Sequence, residues 1–132
     1  MYLLDTCAIS DFIKGEPLTL EKIKSTAPSL LFISSISYME IIYGLVRNPQ
    51  KAKKIKPIID DFLNIINLVD FTVEDAKHAG QIRHLLHQQG LPIGPFDLLI
   101  AGMAVNRVLI LVTSNLREFQ RVPGLACQNW RS

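Results

Sequence analysis

Short apolar runs alternate along this chain with longer stretches in which apolar residues recur every three or four positions. The run Leu3-Leu4, ending at Asp5, reads as a short buried strand. Thr6 stands where it can cap a following helix whose face is Ala8, Ile9, Phe12 and Ile13, and Gly15 can stop it. Pro17 opens a second helix with Leu20 and Ile23 inward. Leu30-Leu31-Phe32-Ile33 is a second strand. Ser35 or Ser37 can cap a helix reaching about Arg47, and Pro49 starts another that carries Ile55, Ile58, Ile59, Phe62 and Ile66 at helical spacing. Residues 67–70 form a short strand. Thr72 caps a helix that has Glu74 and Asp75 in its first turn and ends at Gly90. Pro95 opens an apolar helix over Phe96 to Asn106. Leu109 to Val112 is a strand, and residues 117–120 are helical. Strands this short and apolar, alternating with helices, predict an α/β domain on a parallel sheet.

Composition narrows the picture without deciding it. The 132 residues suit one domain, 1–132, and 48% are hydrophobic, enough for a full core. No apolar run approaches the roughly 20 residues of a membrane span. Met1-Tyr2-Leu3-Leu4-Asp5 lacks the basic start and long apolar stretch of a signal peptide, so a cytoplasmic protein without membrane contact is expected. Cys7 and Cys127 are far apart, lack metal-ligand spacing and read as free thiols. The net charge of +2 suits a nucleic-acid partner but equally suits many enzymes.

Three acids change the reading. Asp5 is the only charged side chain among the first ten residues. Glu40 is the only formal charge between Lys24 and Arg47, and Asp97 the only one between Arg83 and Arg107, histidine aside. Each stands in sequence that otherwise looks like core. A buried carboxylate is costly unless it is paired or binds a metal, and no base lies near any of the three in sequence. Asp5 falls at the carboxyl end of a strand, where open α/β sheets bind ligands. Asp97 falls in the first turn of one helix and Glu40 about one turn into another. Convergence on Mg²⁺ would resolve the cost. That ion prefers hard oxygen ligands, keeps several waters and can serve phosphodiester hydrolysis.

A fourth segment, Val112 to Phe119, follows the strand at Leu109 to Val112 and faces the same crevice. Thr113 or Asn115 could meet a phosphate or a metal-bound water, Glu118 could be a fourth acid, and Arg117 is the base best placed for RNA. The plainer alternative is an ordinary helix cap with Glu118 solvated. His84 and His87, one helical turn apart, could support metal-free RNA cleavage, but with His78 they fit an exposed helix face better. Lys51, Lys53, Lys54 and Lys56 suit a solvated helix start. Tyr38 and Tyr43 are equally compatible with core and with base stacking. A phosphatase of the haloacid-dehalogenase type needs an Asp where Cys7 stands. The paired acids of a receiver domain are not found, and a P-loop is absent.

These segments resemble the PIN-domain ribonucleases, and among them the VapC toxins of bacterial toxin–antitoxin pairs. The resemblance is carried by Leu4-Asp5-Thr6 with Ile9 and Ser10, by residues 35–44 around Glu40, by residues 90–101 around Asp97, and by residues 112–119. Val122-Pro123-Gly124-Leu125 and Trp130 also fit. It implies a three-layer α/β/α domain with a short central parallel sheet and endoribonuclease activity dependent on Mg²⁺, with Mn²⁺ as a substitute. By motif, Asp5 and Asp97 match the main metal ligands and Glu40 the third acid, with Thr6 and Thr113 as supporting donors. Many relatives carry Asp where Asn115 stands, which makes Glu118 the candidate replacement. The third and fourth blocks look like enteric toxins that cut initiator tRNA in its anticodon loop. The resemblance further implies a cognate antitoxin over the crevice and a homodimer. A structure-specific DNA nuclease and a non-catalytic RNA-binding PIN module are the alternatives.

Overall fold

A computed structural model describes residues 1–132. Its centre is a five-stranded sheet in the order β3-β2-β1-β4-β5, parallel at every pairing. The strands are β1 (Tyr2–Leu4), β2 (Leu31–Ser34), β3 (Asn67–Val69), β4 (Ile110–Val112) and β5 (Cys127–Gln128). The helices are α1 (Thr6–Lys14), α2 (Pro17–Ser25), α3 (Ser35–Arg47), α4 (Pro49–Ile65), α5 (Val73–Gln88), α6 (Pro95–Arg107) and α7 (Leu116–Phe119).

Strand alternation sorts the side chains into two cores. Leu4, Leu31, Ile33 and Val112 point to one face, where they meet Ala8, Ile9, Ile23, Ile41, Ile59 and Phe62 from α1 to α4. Leu3 and Leu111 point to the other and meet Ile82, Leu86, Ile100, Met103 and Phe119 from α5, α6 and α7. Both faces of the sheet are therefore covered, which is why its strands read as unbroken apolar runs. Fully burying each Leu or Ile of these cores is worth about 2 kcal/mol. The result is the expected three-layer α/β/α arrangement. No helix is long and apolar enough to cross a membrane.

Two caps fall one residue earlier than expected. Asp5, not Thr6, caps α1, its Oδ1 accepting from Ala8 N–H at 2.8 Å. Ser34, not Ser35 or Ser37, caps α3, its Oγ accepting from Ser37 N–H at 3.0 Å. In both places the strand runs directly into the helix. The last strand-like residue then supplies the cap, leaving the next hydroxyl free for other contacts. Thr72 caps α5 as expected, through a reciprocal capping box with Asp75. The strand β5 has no counterpart in the apolar pattern, being two residues long.

Helices α5 and α6 approach so closely that a Cβ on Gly102 would stand 2.7 Å from the Cβ of Ala79. That contact fixes α6, and with it the first-turn residue Asp97, against the rest of the second core.

Candidate active site

The sheet reverses its direction of growth at β1. From that strand β2 and β3 extend one way, β4 and β5 the other. Such a switch point opens a crevice beyond the carboxyl ends of the strands. Asp5 directly follows β1 and Thr113 directly follows β4, and Asp5 N–H donates to Val112 O at 3.1 Å, tying the two ends together. Asp5 is 2% exposed.

Beside Asp5, whose carboxyl Thr113 helps to hold down, polar groups are linked from Thr113 to Gly94. The Thr113 hydroxyl oxygen accepts from Asn115 N–H at 2.9 Å. The Asn115 side-chain amide donates to Glu118 Oε2 at 3.1 Å. Glu118 Oε1 accepts from Gly94 N–H at 2.5 Å. Glu118 also neighbours Asp97, whose carboxyl its charge raises. On the opposite flank the Thr6 hydroxyl donates to Glu40 Oε1 at 2.7 Å and lies 3.1 Å from Ser37 Oγ. No buried polar side-chain atom is left unpartnered.

Electrostatics mark this cluster. Burial pushes Asp5 up to about 6, against the opposing hydrogen bonds from Thr113 and Ala8. Burial, then the charge of Glu118 and the hydrogen bond shared with it, then the charges of Asp5 and Glu40, push Asp97 up to about 7. Burial also works against the charge of Glu118, but the Gly94 N–H, the Asn115 amide and the Asp97 bond outweigh it and hold Glu118 below its ordinary value. The pair therefore favours a protonated carboxyl at Asp97 over one at Glu118. The Cys7 thiol is pushed above its ordinary 9.0 by desolvation and by Asp5, so it offers no thiolate at neutral pH.

Of the acids singled out by their apolar settings, only Asp5 is fully buried. Glu40, Asp97 and Glu118 are half-buried at the rim of the crevice. No three His, Cys, Asp or Glu side chains close on one point by themselves. The expected convergence of Asp5, Glu40 and Asp97 is thus a shared crevice rather than a closed cage. The physical reason is that Glu40 is turned toward Thr6, and Asp97 toward Glu118. An all-oxygen donor set that is mutually repulsive and enters none of the three ion pairs fits a hard divalent cation, which needs only one or two direct carboxylates. Asn115 begins α7 without capping it by its side chain, which orients Glu118 instead.

Other expectations fall elsewhere. Arg117 is exposed and enters none of the three ion pairs. His84 and His87 line pockets on α5 with Arg83, beyond the loop that carries Gly94. Tyr38 and Tyr43 are exposed and not core, with Arg47 stacked 5.3 Å from the Tyr43 ring centre. Sequence reasoning gave no role to Gly94, whose Cβ position would lie 3.5 Å from Glu118 Oε1 and 3.7 Å from Asp97 Oδ2. Its place one residue before Pro95, at the start of the helix that bears Asp97, was the available signal.

An α/β/α sandwich whose sheet switch point gathers Asp5, Asp97, Glu40 and Glu118 defines a nuclease-like acid centre, and the chain belongs to the PIN-domain family, whose model matches residues 2–125. Within that family its relatives are VapC ribonucleases. The tRNA(fMet)-specific endonuclease VapC of Shigella flexneri is 39% identical over 129 residues, spanning 98% of this chain and 97% of that protein. The crystal structure of DNA-bound VapBC from Salmonella typhimurium contains a chain 36% identical, with a TM-score of 0.89, covering 98% of this chain and 97% of that one. The structure of VapBC2 from Rickettsia felis, bound to a DNA fragment from its promoter, gives 33% identity and a TM-score of 0.89, with 98% of each chain covered. Nucleases of the PIN family are generally dependent on a divalent metal.

Proposed function

We propose that this protein is the toxin of a type II toxin–antitoxin pair, a Mg²⁺-dependent endoribonuclease that cuts initiator tRNA in the anticodon loop. The observation that carries the reading is the acid crevice at the sheet switch point, where Asp5, Glu40 and Glu118 all act on Asp97 and none of the four enters an ion pair. The names of the relatives support the substrate and the antitoxin.

Asp5 and Asp97 would hold the ion, with Mn²⁺ able to replace Mg²⁺. When bound, the ion supplies charge neutralisation at the phosphodiester and lowers the pKa of water. Thr113 keeps Asp5 aimed into the crevice, and Asn115 with Gly94 N–H keeps Glu118 ionised beside Asp97. Glu40, held by Thr6, is positioned to accept a proton from an attacking water. Glu118 takes the place of the acid that many relatives have at Asn115. Arg117, exposed on α7, is a phosphate contact at the crevice rim. Water attack leaves a 5′-phosphate and a 3′-hydroxyl.

A groove of about 340 Å³ between α1, α3 and α4 opens beside Glu40 and is edged by Lys14, Arg47 and Lys51. It supports an antitoxin segment with acidic residues there and a basic residue at the carboxylates. On α3, Met39, Ile42, Tyr43 and Val46 are exposed at i, i+3, i+4, i+7 spacing, a stripe that supports a homodimer. We place the protein in the cytoplasm, with both cysteines free.

The test is end-mapped RNA sequencing after induction, with Asp5→Asn as the control. New 5′-phosphate ends in initiator tRNA, lost in the variant, are expected. Equal toxicity and identical cuts from the variant would overturn the reading, as would cutting that persists in EDTA.

A further inference from the structure

The loop of residues 91–94, which leads into Pro95 of α6, has two sides. On one, Gly94 N–H meets Glu118 in the acid crevice. On the other, Pro92, Ile93 and Pro95 form a wall of a cavity of about 370 Å³, completed by Phe96 and by Arg83 and His87 of α5. Arg121 donates to Pro92 O at 3.0 Å and braces the loop. The volume is in the range of small-ligand pockets, about 300–1,000 Å³. Phe96 is 46% exposed and immediately precedes Asp97 in the first turn of α6. Arg83 and His87 are exposed, and neither takes part in any of the three ion pairs.

We propose that this cavity receives a base of the RNA strand next to the scissile phosphate, with Phe96 as its stacking surface and Arg83 contacting the adjoining phosphate. The inference rests on the ribonuclease reading of the neighbouring crevice. Continuity and charge both point to it. Phe96 lines the cavity while Asp97, next along α6, neighbours Glu118, so only the loop of residues 91–94 and the first turn of α6 separate a phosphate at the acids from the cavity. An aromatic face beside an unpaired guanidinium matches the two chemistries of a nucleotide, a π surface and an anion. The acid crevice offers no aromatic face. It can hold the reacting phosphate but cannot grip a base, so this cavity is where nucleotide preference would be set.

The test uses a fluorescein-labelled initiator-tRNA anticodon stem-loop. Its binding is followed by anisotropy in EDTA and its cleavage in Mg²⁺. Phe96→Ala and Phe96→Leu are expected to weaken binding and raise KM by about tenfold, the scale of one lost base stack, with kcat nearly unchanged. Phe96→Tyr, which keeps the ring, stays close to wild type. Arg83→Gln lowers the slope of log Kd against log salt by about one. Phe96→Leu preserves apolar bulk, so a fold defect is separated from a lost stack. Wild-type binding, KM and salt slope in both Phe96→Leu and Arg83→Gln would overturn the cavity assignment while leaving the hydrolase reading intact. Ring-dependent binding by a protein that cuts nothing at any Mg²⁺ concentration would uphold the cavity and sink the hydrolase reading.

Discussion

Asp75 and Asp5 are both shut away from solvent, at 0% and 2% exposure, yet their surroundings are opposite. Asp75 accepts from Arg107 at 3.1 and 3.3 Å and from Asn106 at 2.8 Å, and closes the capping box of α5. Burial works against its charge, but these partners more than compensate and hold its carboxyl below the ordinary range. Asp11 too has an arginine, receiving a two-pronged bond from Arg131 at 2.6 and 2.7 Å. Asp5 has only neutral donors, and Asp97 faces another acid. One pair of acids is finished by the fold, and the other set is the one we propose a cation completes. The site is thus distinguished not by buried acid as such but by acids outside any ion pair.

Asp5→Asn should break that difference most severely. Asparagine still caps α1, so the fold is kept, while RNA cleavage falls on the order of a hundredfold or more, as for loss of a group stabilising charge in the transition state. A single-turnover assay reads it. Asp97→Asn should behave alike and, in EDTA, should melt no lower than wild type at neutral pH.

Asp75→Ala should do the reverse. It strands Arg107 and removes a cap, costing about 3 kcal/mol in urea unfolding, while cleavage per folded molecule stays near wild type. A large catalytic loss without a stability loss would erase the distinction between the two kinds of acid.

The pH dependence follows from the same contrast. The folded value of Asp5, about 6, lies above its ordinary 3.8. Its protonated form is therefore favoured by folding, and the associated stability is complete below pH 3.8 and lost as pH rises through about 6. Asp97 acts in the same direction, up to about 7. Asp75, depressed, contributes above pH 3.8 and loses its share as pH falls. In EDTA stability should decline between pH 4 and 7, Asp5 accounting for on the order of 3 kcal/mol. Added Mg²⁺ should flatten the decline. A metal-free protein that becomes steadily more stable from pH 4 to 7 would contradict this.

The smallest effect belongs to Arg131→Ala. Its side chain is 51% exposed, so the melting temperature should drop by less than for Asp75→Ala, with cleavage unaffected.

Much of this was legible in the chain. Strands of unbroken apolar residues and helices with periodic ones sort themselves, because each pattern has its own geometry. Asp5 and Asp97 stood out because their neighbours carry no charge. Asp11 and Asp75 did not, since their arginines lie 120 and 32 residues away and only the folded sheet brings them near. The Asp97–Glu118 pairing was hidden for the same reason. The two caps slipped by one because a strand that enters a helix without a loop gives no turn signal. Phe96 looked like core by composition, and only its exposure separates it.

The central claim is that Asp5 and Asp97 are joint ligands of a divalent ion, and calorimetric titration with Mg²⁺ near pH 7, repeated in buffers of different ionisation enthalpy, tests it most directly. Wild type should bind with release of a proton, the one favoured at Asp97, and both Asp5→Asn and Asp97→Asn should bind far more weakly. Equal affinity in all three proteins, with no proton released, would contradict it.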